Sequence, residues 1–202
     1  MIAAIQAGGR SARMGEDKAW MPIQGRPMIE HVLHSAQRVA EQLVIVVNSA
    51  NLKLAEYEQL ARRWKAKLLF DSHDYRGPLG GLETALRQYP NGESVLLLAC
   101  DLPTITAEFL QWLQTIHHSE NPELTVPFDE AERPQMLAAI YAAACLPQVS
   151  AMLAAEEFKM QWLQARVKTR AVRFAEYAHL TDAERLLRNV NTPADFQQID
   201  KR

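Results

Sequence analysis

Four apolar runs of strand length, Met1 to Ile5, Leu43 to Val47, Lys67 to Phe70 and Val95 to Ala99, alternate with longer stretches whose apolar residues recur at helical spacing. Nearly continuous apolar runs of that length belong to strands covered on both faces. Between them, Met28 to Glu41 places Ile29, Val32, Leu33, Ala36, Val39 and Ala40 on one helical face, and Leu54 to Trp64 and Leu79 to Tyr89 carry similar stripes. The order βαβαβαβ predicts an α/β chain with a mostly parallel, doubly wound, Rossmann-like sheet, right-handed crossovers and helices on both faces. A length of 202 residues, 48% of them hydrophobic, suits one substantial core, so residues 1–202 read as a single domain.

In such a sheet ligands gather at the carboxyl ends of the strands, near the point where strand order reverses. The first strand runs into Ala7 to Lys18, AGGRSARMGEDK, which combines the pair Gly8-Gly9, a third glycine, Arg10, Arg13 and Lys18. Adjacent glycines let backbone approach a ligand and aim N–H groups at it, and the cations add charge around an anion gripped by main chain. An ordinary strand-to-helix turn with solvated basic residues fits the same composition. The P-loop is excluded, because no glycine stands four residues before a Gly-Lys-Ser/Thr, and the three-glycine dinucleotide fingerprint is absent. The second strand ends before Asn48, the third before Asp71 and the segment Gly77-Pro78-Leu79-Gly80-Gly81, and the fourth before Asp101. Each also fits a generic turn.

Asp101 follows a strand that should be buried and precedes Leu102-Pro103. A hard cation such as Mg²⁺ is normally held by one or two carboxylates plus substrate phosphates and water, a role open to Asp101. The alternative is a cap for the next helix, for which Thr104 and Thr106 are adequate candidates. In the Gly77 to Gly81 segment Pro78 fixes a backbone angle, and Gly80 and Gly81 leave room for something to lie against the chain, although a plain loop-to-helix junction fits as well.

The second half, 104–202, is less regular. Thr106 to Ile116 reads as a helix, His117 to Glu123 as a polar connection, and Leu124 to Phe128 as a short strand before the acidic loop DEAER, closed by Arg133, Pro134 and Gln135. Met136 to Tyr141 reads as a strand, Pro147 to Leu163 as one or two helices, and Val167 to Phe174 as a strand with alternating basic residues; this second half as a whole looks like the substrate-facing side. Asn189-Val190-Asn191 precede Thr192-Pro193, a strong helix start.

From Ala7 through Gly8, Gly9, Arg13, Met14, Gly15, Asp17 and Lys18, with the Gly77-Pro78-Leu79 segment, the Asp-x-Pro element at Asp101 and the Asn-x-Asn-Thr-Pro ending, the chain resembles the molybdenum cofactor guanylyltransferases, the MobA-like nucleotidyltransferases. The resemblance spans nearly the whole chain, from Ala7 to Asp195, and is densest in the first hundred residues. It implies a fold of the nucleotide-diphospho-sugar transferase type, with a nucleotide-binding half (1–103) and an acceptor-facing half (104–202). It implies transfer of GMP from GTP to the phosphate of molybdopterin, with release of pyrophosphate. By similarity Gln6, Ala7, Gly8, Gly9, Lys18, Asn48, Asp71, Gly77, Pro78, Leu79 and Asp101 contact the nucleotide. Asp101 holds Mg²⁺, Arg13 and Lys18 stabilise charge on the α-phosphate and leaving group, and Asn189 and Asn191 lie near the acceptor. Partners would be these substrates, with transient contacts to cofactor-biosynthesis or molybdoenzyme-maturation proteins, in a monomer or weak homo-oligomer.

Gln6 departs from the family pattern, which has leucine there; because the loop acts through backbone, the change bears on base preference rather than on binding as such. A cytidylyltransferase of the same pathway, a sugar or isoprenoid nucleotidyltransferase, and a catalytically inactive nucleotide-binding module that delivers cofactor to a partner enzyme remain alternative readings.

A net charge of −2 argues against a protein that wraps nucleic acid. No apolar stretch reaches the roughly 18 residues a membrane helix needs, and nothing near Met1 resembles an export signal, so a cytoplasmic protein is expected. Cys100 and Cys145 read as small buried hydrophobes. His31 and His34, three residues apart on a helix, lack the further ligands a metal requires. The four tryptophans read as packing residues.

Overall fold

A computed structural model of the chain describes residues 1–7, 17–71, 77–89, 92–190 and 195. In chain order its elements are β1 (Ile2–Gln6), β2 (Pro22–Ile23), β3 (Arg26–Pro27), α1 (Met28–Ala36), β4 (Gln42–Asn48), α2 (Leu54–Trp64), β5 (Lys67–Asp71), α3 (Pro78–Gln88) and β6 (Val95–Ala99). There follow α4 (Ala107–Glu120), β7 (Leu124–Pro127), β8 (Ala138–Tyr141), α5 (Leu146–Ala154), β9 (Thr169–Val172) and α6 (Phe174–Tyr177), with short 3-10 turns between some of them.

Seven strands form one sheet in the order β5-β4-β1-β6-β8-β7-β9. All neighbours pair in parallel except across β8, which runs antiparallel to both β6 and β7. The parallel expectation holds because β1, β4 and β6 are buried nearly throughout, as strands covered on two faces must be. Alternate residues serve opposite layers. Ala3, Ile5, Ile45, Leu96 and Leu98 join the cluster built with α1, α2 and α4, whereas Ile2, Ala4, Val44, Val46 and Leu97 join the one built with α3 and α5.

The chain moves outward from β1 through β4 to β5, then returns through α3 to β6 on the other side of β1. Strand order therefore reverses between β1 and β6, and the crevice this creates opens at the ends of those strands. A two-residue hairpin of β2 and β3 turns through Gln24 and Gly25, both at positive φ (49° and 77°), the backbone of a primed turn that glycine favours.

Two helices differ from expectation. The first ends at Ala36 rather than Glu41, because Glu41 N–H bonds to Met1 C=O and the chain must already be entering β4. The fourth continues past Ile116 to Glu120 and closes on Asn121 in a left-handed C-cap, so His117 and His118 lie in its last turn and not in a connection. His117 faces inward, only 4% exposed, between Ser94 Oγ at 3.0 Å and Thr125 Oγ1 at 2.8 Å. No helix among the described residues is long and apolar enough to cross a membrane.

Candidate functional site

The register fixes which side chains meet. Gln6 lies opposite Val46 and Ala99, and Asn48 lies opposite Asp71, so the carboxyl ends of β1, β4, β5 and β6 form one edge. Gln6, Asn48, Asp71 and Asp101 all stand along it. Gly8, Gly9, Arg13 and Asn191, with the Thr192-Pro193 helix start, lie outside the described residues.

The glycines at the start of α3 have identified occupants. A Cβ on Gly81 would come within 2.4 Å of Gln6 Nε2, and one on Gly80 within 2.8 Å of Asp71 Oδ1. What lies against the chain here is therefore protein: the ends of two strand-terminal side chains. Gln6 Nε2 donates to Pro78 C=O at 2.7 Å, tying β1 to the first turn of α3. Position 6 thus acts through its side chain as well as its backbone, whose C=O accepts from Cys100 N–H at 3.1 Å. Gly77, at φ 70°, precedes the helix, Pro78 occupies its first turn and Leu79 is buried in the core. Asn48 accepts from Ala50 N–H at 2.8 Å, holding the turn that follows β4.

Asp101 follows β6 and is partly buried. It does not cap the next helix: Thr106 accepts from Phe109 N–H, while Thr104 donates to Arg185 C=O at 2.6 Å. Burial pushes the Asp101 carboxyl above its usual range, and the Lys18 ammonium opposes that shift. A charge held at such a place is stabilised by further positive charge. Among the described residues no three His, Cys, Asp or Glu side chains group to hold a metal ion, and the donor at the end of β6 is the Asp101 carboxylate. That donor set fits a hard cation completed by phosphate oxygens and water better than an all-protein cage. The Asp101 C=O accepts from Val190 N–H at 3.0 Å, which brings the exposed Asn189 beside it.

Lys18 opens a 3-10 turn, Lys18–Trp20, whose cap is Asp17. Asp17 is 8% exposed and accepts from Ala19 N–H at 3.1 Å, Tyr57 Oη at 2.8 Å and Asn51 Nδ2 at 3.3 Å. Sequence reasoning gave Asn51 and Tyr57 no role; the adjacency of Asp17 to Lys18 was the available signal. Burial, with the nearby Asp17, raises the Tyr57 phenol above its ordinary range, so it remains a donor.

Past the carboxyl ends of β7 and β9 a cleft of about 350 Å³ is lined by Asp129, Arg133, Phe174, Tyr177, Leu187 and Arg188. Two basic residues of the β9 region are held by carboxylates. Arg170 pairs with Glu120 at 2.9 Å and Glu176 at 2.5 Å, and Arg173 pairs with Glu132. Cys145 is buried and Cys100 only partly so; His31 Nε2 lies 2.9 Å from Ile23 C=O, a packing role. Trp162 is exposed, beside Lys159.

Comparison with known proteins gives the family of the chain. The chain is 33% identical, over all of itself and 95% of the relative, to a probable molybdenum cofactor guanylyltransferase of Carboxydothermus hydrogenoformans. It is 29% identical, over 98% of itself and 95% of the relative, to the molybdenum cofactor guanylyltransferase of Shewanella amazonensis. Its fold matches molybdopterin-guanine dinucleotide biosynthesis protein A from Archaeoglobus fulgidus with a TM-score of 0.82, at 23% identity, over 100% of this chain and 97% of that one. The profile of the MobA-like NTP transferase domain matches residues 3–171, and the chain belongs to that family.

Proposed function

We propose that the protein transfers GMP from GTP to the phosphate of molybdopterin, releasing pyrophosphate and forming the guanine dinucleotide cofactor. The observation that carries this reading is the convergence of Asp101 and Lys18 with Gln6, Asn48 and Asp71 on the strand ends flanking the β1–β6 reversal, in a chain of this family. An oxygen of the acceptor phosphate attacks the α-phosphorus of the triphosphate, and the bond to the β-phosphate breaks. The residues position the reactants and neutralise charge rather than supply a nucleophile. Lys18, with Arg13, sits against the α-phosphate and the departing pyrophosphate.

Asp101 would hold Mg²⁺, which when bound neutralises phosphate charge. The amides of the loop at Ala7, Gly8 and Gly9 cradle the triphosphate, and Gly77, Pro78 and Leu79, with Gln6, Asn48 and Asp71, border the nucleoside. The acceptor lies toward Asn189 and Asn191, on the side where the Asp129–Arg188 cleft opens. Guanine follows from the relatives' names and from the motif match.

Pyrophosphate release is measured with GTP or CTP, molybdopterin and Mg²⁺. Release with GTP, reduced at least ~100-fold in Asp101→Asn, is expected, since removing one preorganised charge from a transferring phosphoryl group costs that much. Release with CTP alone rejects the base. Nucleotide binding without pyrophosphate, unaffected by Asp101→Asn, makes the protein a carrier.

A further inference from the structure

Asp17, Tyr57 and Asn51 join two segments that the sequence keeps far apart: the start of the Lys18–Trp20 turn, and the stretch from the end of β4 into α2. Tyr57 is fully buried on α2, and its ring meets the edge of Trp20 with centroids 5.3 Å apart. Asn51 faces both ways. Its Nδ2 donates to Asp17 and its Oδ1 accepts from Lys53 N–H at 2.9 Å, while its own N–H donates to Asn48 C=O at 3.0 Å. The turn carrying Asn48 and the turn carrying Lys18 are therefore parts of one hydrogen-bonded unit centred on the Asp17 carboxylate.

Lys18 is held on both sides within it. The preceding residue is a buried cap with three donors, and the following one, Ala19, is fully buried with its N–H bonded to that cap. A long flexible side chain gains little from being near a reacting phosphate unless its backbone is fixed, because misplacement by an ångström costs orders of magnitude in rate. Tyr57 packs its ring edge-on against Trp20 and donates its hydroxyl to the Asp17 carboxylate.

We infer that Tyr57 and Asn51, acting through Asp17, are positioning residues that aim Lys18 at the reacting phosphates beside Asp101. The inference rests on the proposed role of Lys18 in nucleotidyl transfer. Removing the Tyr57 hydroxyl loosens the carboxylate, and the Lys18 turn loses its fixed direction while the nucleotide's other contacts remain.

Tyr57→Phe, Lys18→Ala and the double variant are assayed for pyrophosphate release from GTP with molybdopterin and Mg²⁺, each verified as folded by its circular dichroism and melting curve at the assay temperature. Tyr57→Phe is expected to lower kcat about tenfold with KM for GTP nearly unchanged, as for loss of one hydrogen bond to a charged group. In the Lys18→Ala background the same change should do almost nothing to kcat, because residues that act as a unit are not additive. An undiminished kcat in Tyr57→Phe, or an equal loss in both backgrounds, overturns the positioning role. Should Tyr57→Phe melt below the assay temperature, Asn51→Ala takes its place in the same cycle and is judged by the same outcomes. If Lys18→Ala itself leaves kcat unchanged, it is the reading of Lys18 that fails, a different result.

Discussion

At the β5-β4-β1-β6 side of the sheet, Gln6, Asn48, Asp71 and Asp101 stand at strand ends, and two of them fit only because α3 begins with glycines. At the β8-β7-β9 side the polar groups are bound to one another at several points. Arg170 joins Glu120 and Glu176, Asp129 joins Arg133 and Gln135, and His117 bridges Ser94 and Thr125. The first side orders polar groups toward a crevice; the second spends them on holding the sheet's far edge together. Substitutions at His117 or Arg170, away from the strand-end crevice, should therefore lower stability and spare turnover, whereas those at the strand ends of the first side should act on nucleotide use, with stability changing where packing is disturbed.

The largest effect tests the second side through pH. Burial, with the neighbouring His118, pushes His117 down to about 4 from its ordinary 6.5. Above pH 6.5 the imidazole is neutral in both folded and unfolded chains. As pH falls below 6.5 the unfolded chain takes up a proton that the folded one refuses, so stability declines until pH reaches about 4. The decline approaches ~3 kcal/mol. Asp129 and Glu176, whose carboxyls are held low by their arginines and neighbouring N–H groups, lose their contributions only below the ordinary carboxylate range, a separate window. Denaturant unfolding of the protein and of His117→Gln between pH 7 and 4 reads this directly; an identical slope in the variant would sink the assignment.

A smaller effect probes the first side. In Gly81→Ala the new methyl must displace the end of Gln6 and break its bond to Pro78, at a cost of ~1 kcal/mol in stability. KM for GTP should rise several-fold, about as expected when one hydrogen-bonded contact is misplaced. Adding Gln6→Ala should restore the space, so the double variant is more stable than the sum of the single changes predicts. Strict additivity would show that the two positions do not press on each other.

The smallest effect is a control on the same side. Arg63 pairs with Glu30 at 2.5 Å, but its side chain is 59% exposed. Arg63→Ala should change stability by less than ~0.5 kcal/mol and leave turnover alone. A larger loss would mean that surface pairs on this side carry structure, blurring the contrast.

The sequence showed the first side well because its signals are local. A buried parallel strand followed by glycines or an aspartate is legible in one stretch, and Leu54 to Trp64 was assigned without error at either end. The second side hid its logic in distance. His117-His118-Ser119-Glu120 looks like a polar connection until Ser94 and Thr125 are brought to His117 by folding. The basic alternation of β9 gives no sign in the sequence of Glu120, Glu132 and Glu176, the partners that folding brings beside it. Within the candidate site, the same blindness concealed Tyr57, which lies 40 residues from its partner Asp17 and belongs to no short motif.

The nesting of Gln6 against Gly81, and of Asp71 against Gly80, has an evolutionary corollary. The glycine of such a pair cannot enlarge alone. A lineage that enlarges the helix residue must first shorten or redirect the strand residue, whereas one that keeps the glycine may exchange the strand residue among several shapes. Enlargement at 81 should thus arrive only with a change at 6, and enlargement at 80 only with a change at 71.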